Sequence, residues 1–133
     1  MQSSTLSKLQ KLVLFLVKEK DLYKRFVKET PNILHHRIEN FLGVGFPDDV
    51  LYINHKFYTC ELKYTNHNKI KISPFQISFA MQHPIGHYFL IGHKKEVKLF
   101  ESKSIDDLLK EGFKAKNSIA NNWKDIRDYL YKL

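Results

Sequence analysis

Two carboxylates and one lysine carry the chemistry this chain could do. Asp48 follows the turn-forming stretch Gly45-Phe46-Pro47, and thirteen residues later Glu61 precedes Leu62 and Lys63. The segment around Glu61 reads as a strand. Strand side chains alternate faces, so Glu61 and Lys63 point one way and Leu62 the other. Two acids and one base can then converge on one point, the minimum for holding a divalent cation beside a nucleophilic water.

Hydrolysis of a phosphodiester needs that set. Its water must lose a proton near neutral pH, and negative charge grows on the phosphate oxygens; a bound Mg²⁺ addresses both. Mg²⁺ prefers oxygen ligands and keeps several waters, so one or two carboxylates suffice. Asp48 and Glu61 are the candidate ligands, with the backbone carbonyl of Leu62 as a third. Lys63 would orient the water and offset phosphate charge. Gln76, on the next helix, would hydrogen-bond the water or steady Lys63. The alternative for the same residues is a hairpin with exposed acids and an ordinary surface lysine.

The elements that must position these residues follow from the pattern. Residues 4–28 read as a helix, with Leu9, Leu12, Val13, Leu16 and Val17 at helical spacings, although the run Leu12 to Val17 also suits a buried strand. Pro31 stops it. Residues 35–44 are ambiguous. Residues 49–53 and 57–64 read as two strands joined by the two-residue turn Asn54-His55, a hairpin that brings Asp48 towards Glu61. Residues 65–71 read as a mobile polar loop. Ser73 and Pro74 open a helix as N-cap and first helical residue. Strands follow over 87–92 and 96–101, separated by a lysine pair. Ser104, with Asp107 three positions on, reads as a capping box for a short helix that Gly112 ends. Residues 118–133 read as a final helix. A mixed α/β (α+β) fold, with a central sheet flanked by helices, satisfies this order.

The strings GFPDDVLYI, YTCELKYT and SPFQISFAMQH resemble the PD-(D/E)XK nuclease superfamily, most closely small phage-type nucleases of the virus-type replication-repair class and Holliday-junction resolvases. Residues 36 to 93 carry the resemblance. Its pieces, in order, are Gly45-Phe46-Pro47-Asp48, Glu61-Leu62-Lys63, Ser73-Pro74-Phe75-Gln76 and Gly86. The resemblance implies an αβββαβ core, Asp48 and Glu61 as metal ligands, Lys63 as the catalytic lysine and Gln76 as its polar support. It also implies a further acid from an earlier helix, for which Glu39 is the candidate. Asp49 is a second choice to Asp48, because on a strand it faces the opposite side. The implied cofactor is Mg²⁺, with Mn²⁺ as a substitute.

The composition bounds the partners. The chain has 133 residues, one domain by length. It carries 22 Lys and Arg against 14 Asp and Glu, a formal charge of +8 that favours a polyanion. Arg37, His67, Lys69 and Lys71 bracket the site and are the candidate contacts to phosphate. No Arg- and Asn-rich helix suggests base reading, so DNA recognised through backbone or branched structure is expected. Cys60, the single cysteine, excludes an internal disulfide and reads as a buried strand residue. The seven histidines read mostly as surface or nucleic-acid-facing residues. The apolar faces of the first and last helices suit core burial or a homodimer interface. No stretch spans a membrane and no signal peptide is evident, so a cytoplasmic setting is expected; the resemblance suggests a phage-encoded protein in a bacterial host. The alternatives are an exonuclease, a nicking or restriction-type nuclease, a non-catalytic nucleic-acid-binding module, or an interaction subunit.

Overall fold

The computed structural model describes residues 7–38 and 45–133, without the side chains of Phe15 and Leu16. Its elements are α1 (Lys8–Glu29), β1 (Leu34–Arg37), β2 (Asp49–Ile53), β3 (Lys56–Tyr64), α2 (Pro74–Gln82), β4 (His87–His93), β5 (Glu96–Glu101), α3 (Ile105–Glu111) and α4 (Trp123–Tyr131). The five strands form one mixed sheet in the order β1-β2-β3-β4-β5. Only β3 and β4 run parallel; the other neighbours are antiparallel. The expected α+β fold is what the chain adopts.

Strand alternation divides the core in two. Cys60 and Leu62 of β3, with Tyr88 and Leu90 of β4, pack with Leu22 and Phe26 of α1 and Ile126 and Leu130 of α4. Phe89 and Ile91 of β4 pack on the opposite side with Ala80 of α2 and Leu108 of α3. Strand β4 is therefore buried through both faces, as a central strand covered by helices on each side should be.

Local chemistry explains most element boundaries. Ser7 and Gln10 form a reciprocal capping box at the start of α1, and the segment Leu12 to Val17 is helical. Asn54 and His55 adopt φ values of 50° and 68°, the left-handed pair that a tight hairpin turn requires. Other expectations are corrected. Strand β1, ambiguous in the sequence, pairs with β2 from Leu34↔Tyr52 to Arg37↔Asp49. The final helix starts only at Trp123, because Ile119 and Ala120 bond to both sides of Leu99 and extend the sheet instead. Ser104 makes no side-chain cap bond. The polar loop is pinned rather than mobile: Phe113 and Lys114 donate backbone hydrogen bonds to Asn68, whose amide donates to the carbonyl of Glu111.

Two histidines also depart from the surface reading. His87 is buried beside Thr59, and burial with nearby His83 pushes its pKa down to about 4. His35 lies under α1, its ring 4.8 Å from that of Phe26. The Thr30 hydroxyl donates to the carbonyl of Phe26 at 2.6 Å, so it accepts from Nε2 of His35 at 2.7 Å. Nδ1 of His35 then meets Oδ2 of fully buried Asp49 at 2.6 Å. Asp49 thus faces away from the cleft and into this chain of hydrogen bonds. Its Oδ1 has no hydrogen-bond partner among the described residues, so His35 carries the whole task of satisfying the carboxyl group. His35→Leu is expected to destabilise the fold by about 2–4 kcal/mol in urea unfolding, and adding Asp49→Leu should recover much of that loss. Equal losses in the single and double variants would refute this account.

Candidate functional site

Strand β3 is paired on both sides only as far as Cys60. The last register pair with β2 is Asp49↔Cys60, whereas pairing with β4 continues to Tyr64↔Gly92. The odd-numbered residues of β3 turn their peptide groups towards β4, as the bonds from Thr59 N–H to Gly86 and from Thr65 N–H to Gly92 show. The peptide groups of Leu62 and Tyr64 therefore face an edge that β2 has left. Leu62 N–H donates to Oδ2 of Asp48 at 2.9 Å. Glu19 of α1 lies beside the backbone of Tyr64, which helps to hold its pKa down. In an extended strand the carbonyl of a residue points to the same side as its N–H, so the carbonyl of Leu62 faces this edge too.

Asp48 reaches the edge because the turn before it presses against α2. Gly45 has φ +84°, and a Cβ there would lie 2.6 Å from Cβ of Phe75 and 2.7 Å from its backbone carbon. Only glycine allows that approach. The backbone carbonyl of Asp48 is held from the other side by the N–H of Ile38, at 2.8 Å.

Glu61 and Lys63 project towards α2, as alternation requires. Glu61 is 3% exposed. Its Oε2 accepts from Nε2 of Gln76 at 2.8 Å and lies 3.8 Å from Nζ of Lys63. The orientation of Gln76 is fixed by chemistry: its Oε1 accepts from the N–H of Ser73 at 3.0 Å in the capping box of α2, which leaves the amide nitrogen for Glu61. Gln76, expected at the water or at Lys63, has Glu61 as its partner.

The charges are strained. Burial raises the pKa of Glu61 to about 9, helped by the neighbouring carboxyl group of Asp48 and by Glu19, against the pull of Lys63. Burial likewise pushes Glu19 up to about 7, with Lys63 opposing and Asp48 adding to the rise. Among the described residues, no three His, Cys, Asp or Glu side chains are gathered into a ready cation cage. The donor set still fits Mg²⁺. Asp48 lies close enough to buried Glu61 to push its pKa up, a concentration of negative charge that a cation would relieve. Their oxygen donors, with the carbonyl of Leu62, match a hard ion that keeps much of its water.

Of the other expected residues, Arg37 lies with Glu19, Tyr23, Asp48 and Leu62 around one small pocket, its guanidinium 4.7 Å from the ring centre of Tyr23. Lys69 and Lys71 line, with Lys63, Ser73 and Gln76, a cleft of about 480 Å³ whose lining among the described residues holds no carboxylate. His67 is exposed on the same loop and does not line that cleft. Glu39 lies outside the described residues. Glu19 was missed by sequence reasoning, which read the polar residues of α1 as a solvated face. The one available signal was its place on a helix preceding the motif.

No family model matches the sequence, and no curated protein matches it.

A carboxyl group whose folded pKa is raised binds its proton more tightly in the native state. Without metal, stability then falls as pH rises from the ordinary carboxylate range towards the raised value. Glu61→Gln is therefore expected to melt a few degrees above the wild type in chelator, with the gap widening between about pH 5 and pH 8. Mn²⁺ should raise the melting temperature of the wild type but not that of Glu61→Gln. A gap independent of pH would contradict the electrostatic account of the site.

Proposed function

We propose that this chain is a metal-dependent DNA endonuclease that hydrolyses phosphodiester bonds, with branched DNA as its preferred substrate. The observation that carries the reading is the open edge of β3, where Asp48, Glu61 and the carbonyl of Leu62 adjoin Lys63 and a lysine-lined cleft. The element order from α1 to β4 is also that of the αβββαβ core expected from the motif resemblance.

In this reading Asp48, Glu61 and the carbonyl of Leu62 hold Mg²⁺ or Mn²⁺, with Glu19 as the helix-borne acid beside them. The ion, when bound, lowers the pKa of water and offsets charge on the phosphate. The chain's own groups do the rest. Lys63 donates to the phosphate or the water from a largely buried position, its side chain 14% exposed. Gln76 holds the carboxylate of Glu61 without adding charge. Arg37 on one side, with Lys69 and Lys71 on the other, takes the neighbouring phosphates, so binding should weaken steeply with salt.

A homodimer is part of the proposal. Leu9, Leu12, Val13, Leu14 and Val17 of α1 are each 46–70% exposed, and a second copy crossing this stripe would cover them. It would also set two sites against two strands. No helix among the described residues is long and apolar enough to cross a membrane. We place the protein in the cytoplasm, and a phage origin in a bacterial host accords with the motif resemblance.

Asp48→Ala and Lys63→Ala should each lower cleavage of four-way junctions in Mg²⁺ by at least about a thousandfold while leaving junction binding in chelator within a few-fold of wild type. Full activity in either variant would refute the assignment. A panel of junction, nicked, duplex and single-stranded DNA separates the junction reading from an exonuclease or nicking enzyme.

A further inference from the structure

Helix α1 forms a ridge between two clefts. Glu19 borders the proposed reaction centre. Lys18, Asp21 and Arg25, at spacings of three, four and seven, share a different face, which with Lys94, Lys95 and Glu96 of the β4–β5 turn encloses a second cleft of about 410 Å³. Its floor is firm: a Cβ on Gly92 would lie 3.2 Å from Tyr64 and 3.3 Å from Leu22.

We propose that this second cleft binds the phosphate backbone of duplex DNA leading away from the reaction centre. This deepens the nuclease reading and rests on it for the choice of partner.

Four cations face two acids there, an excess of two positive charges (4 − 2). Among the described residues, no ion pair engages Lys18, Lys94 or Lys95, so these ammonium groups are available to phosphate. The aromatic rings nearby offer no platform for an unstacked base. Tyr64 is 7% exposed, with Nζ of Lys18 5.9 Å from its ring centre, and the guanidinium of Arg25 lies 5.5 Å from that of Trp123. Single strands are held by stacking as much as by charge, so a cleft with cations on its rim and covered rings suits the backbone of a duplex.

The two clefts adjoin through a single residue. The backbone of Tyr64 lies beside Glu19, its ring lies beneath Lys18, and its hydroxyl accepts from the backbone N–H of Lys94 at 3.2 Å. The β4–β5 turn lies just beyond the Tyr64↔Gly92 register pair, at the same end of the sheet as Lys63. A strand lying across the reaction centre therefore meets these lysines next.

The test is fluorescence anisotropy with a labelled duplex of roughly 30 base pairs, about three helical turns, in Ca²⁺ or chelator across a range of salt. Lys94 and Lys95 are exposed turn residues, so Lys94→Gln/Lys95→Gln should fold normally, as circular dichroism would check. This variant should bind about tenfold more weakly, with the slope of log affinity against log salt shallower by about 2. Glu96→Gln should bind more tightly than wild type, because it removes a repelling charge from the same cleft. Wild-type affinity and slope in both variants, with Lys69→Gln/Lys71→Gln still weakened, would overturn the proposal. A protein that shows the predicted binding changes yet cuts no DNA in Mg²⁺ or Mn²⁺ would sink the nuclease reading and leave the second contact standing.

Discussion

Strand β3 outlasts its partner. Beyond Cys60 no described strand pairs with the β2 side, and the peptide groups of Leu62 and Tyr64 need acceptors that no described backbone there supplies. An unpaired, partly buried N–H costs about as much as a lost hydrogen bond, so the fold cannot leave them. Asp48 fills the first of these places, and Glu19 lies beside the second. An acid that gives the site its character thus also terminates a sheet, and an edge left open by β2 can gather ligands.

That arrangement sets the electrostatics. Glu61 arrives from the strand itself, nearly buried, into the field of Asp48, fixed by the backbone, and of Glu19. Desolvation alone would favour its neutral form, and the neighbouring charges push the same way. Lys63 opposes them from 3.8 Å, close enough to attract but beyond hydrogen-bonding distance. Gln76 adds a donor without a charge, and Ser73 prevents its amide from turning round. A second lysine in place of Gln76 would quiet the carboxylate; a neutral donor holds it in place and leaves its demand for positive charge intact.

Much of this was legible because it depends on local rules. Alternation placed Glu61 with Lys63 and opposite Leu62; the turn residues Asn54 and His55 set the hairpin; Ser73 and Pro74 set the start of α2. What escaped depended on contacts distant in sequence. Glu19 lies more than forty residues from Glu61 and is one of many polar residues on α1. Nothing in its spacing distinguishes it until Tyr64 is seen beside it. The loop 65–71 looked mobile because its residues are polar, yet Asn68 is tied to the turn after α3, where Gly112 has φ +71° and leaves no room for a side chain against Asn68. His35 looked like a surface histidine for the same reason: its partner Asp49 follows a motif aspartate and was read in relation to that neighbour rather than to the helix above it.

Helix α1 shows why periodicity alone could not apportion function along one element. Its apolar residues recur at helical spacings throughout, but among the described side chains only Leu22 and Phe26, in the second half, are buried against the sheet. The first half presents equally apolar residues at 46–70% exposure. Strands β1 and β2 are short, with four and five residues. Glu19 stands near the point where packing gives way to exposure, beside the backbone of Tyr64. A helix buried along its whole length would hold that position with an apolar side chain, and a wholly exposed one would leave the acid in water. The short β2 and the half-buried α1 are therefore one constraint seen from two sides: both stop early at the same place, and the gap they leave is where the acids meet.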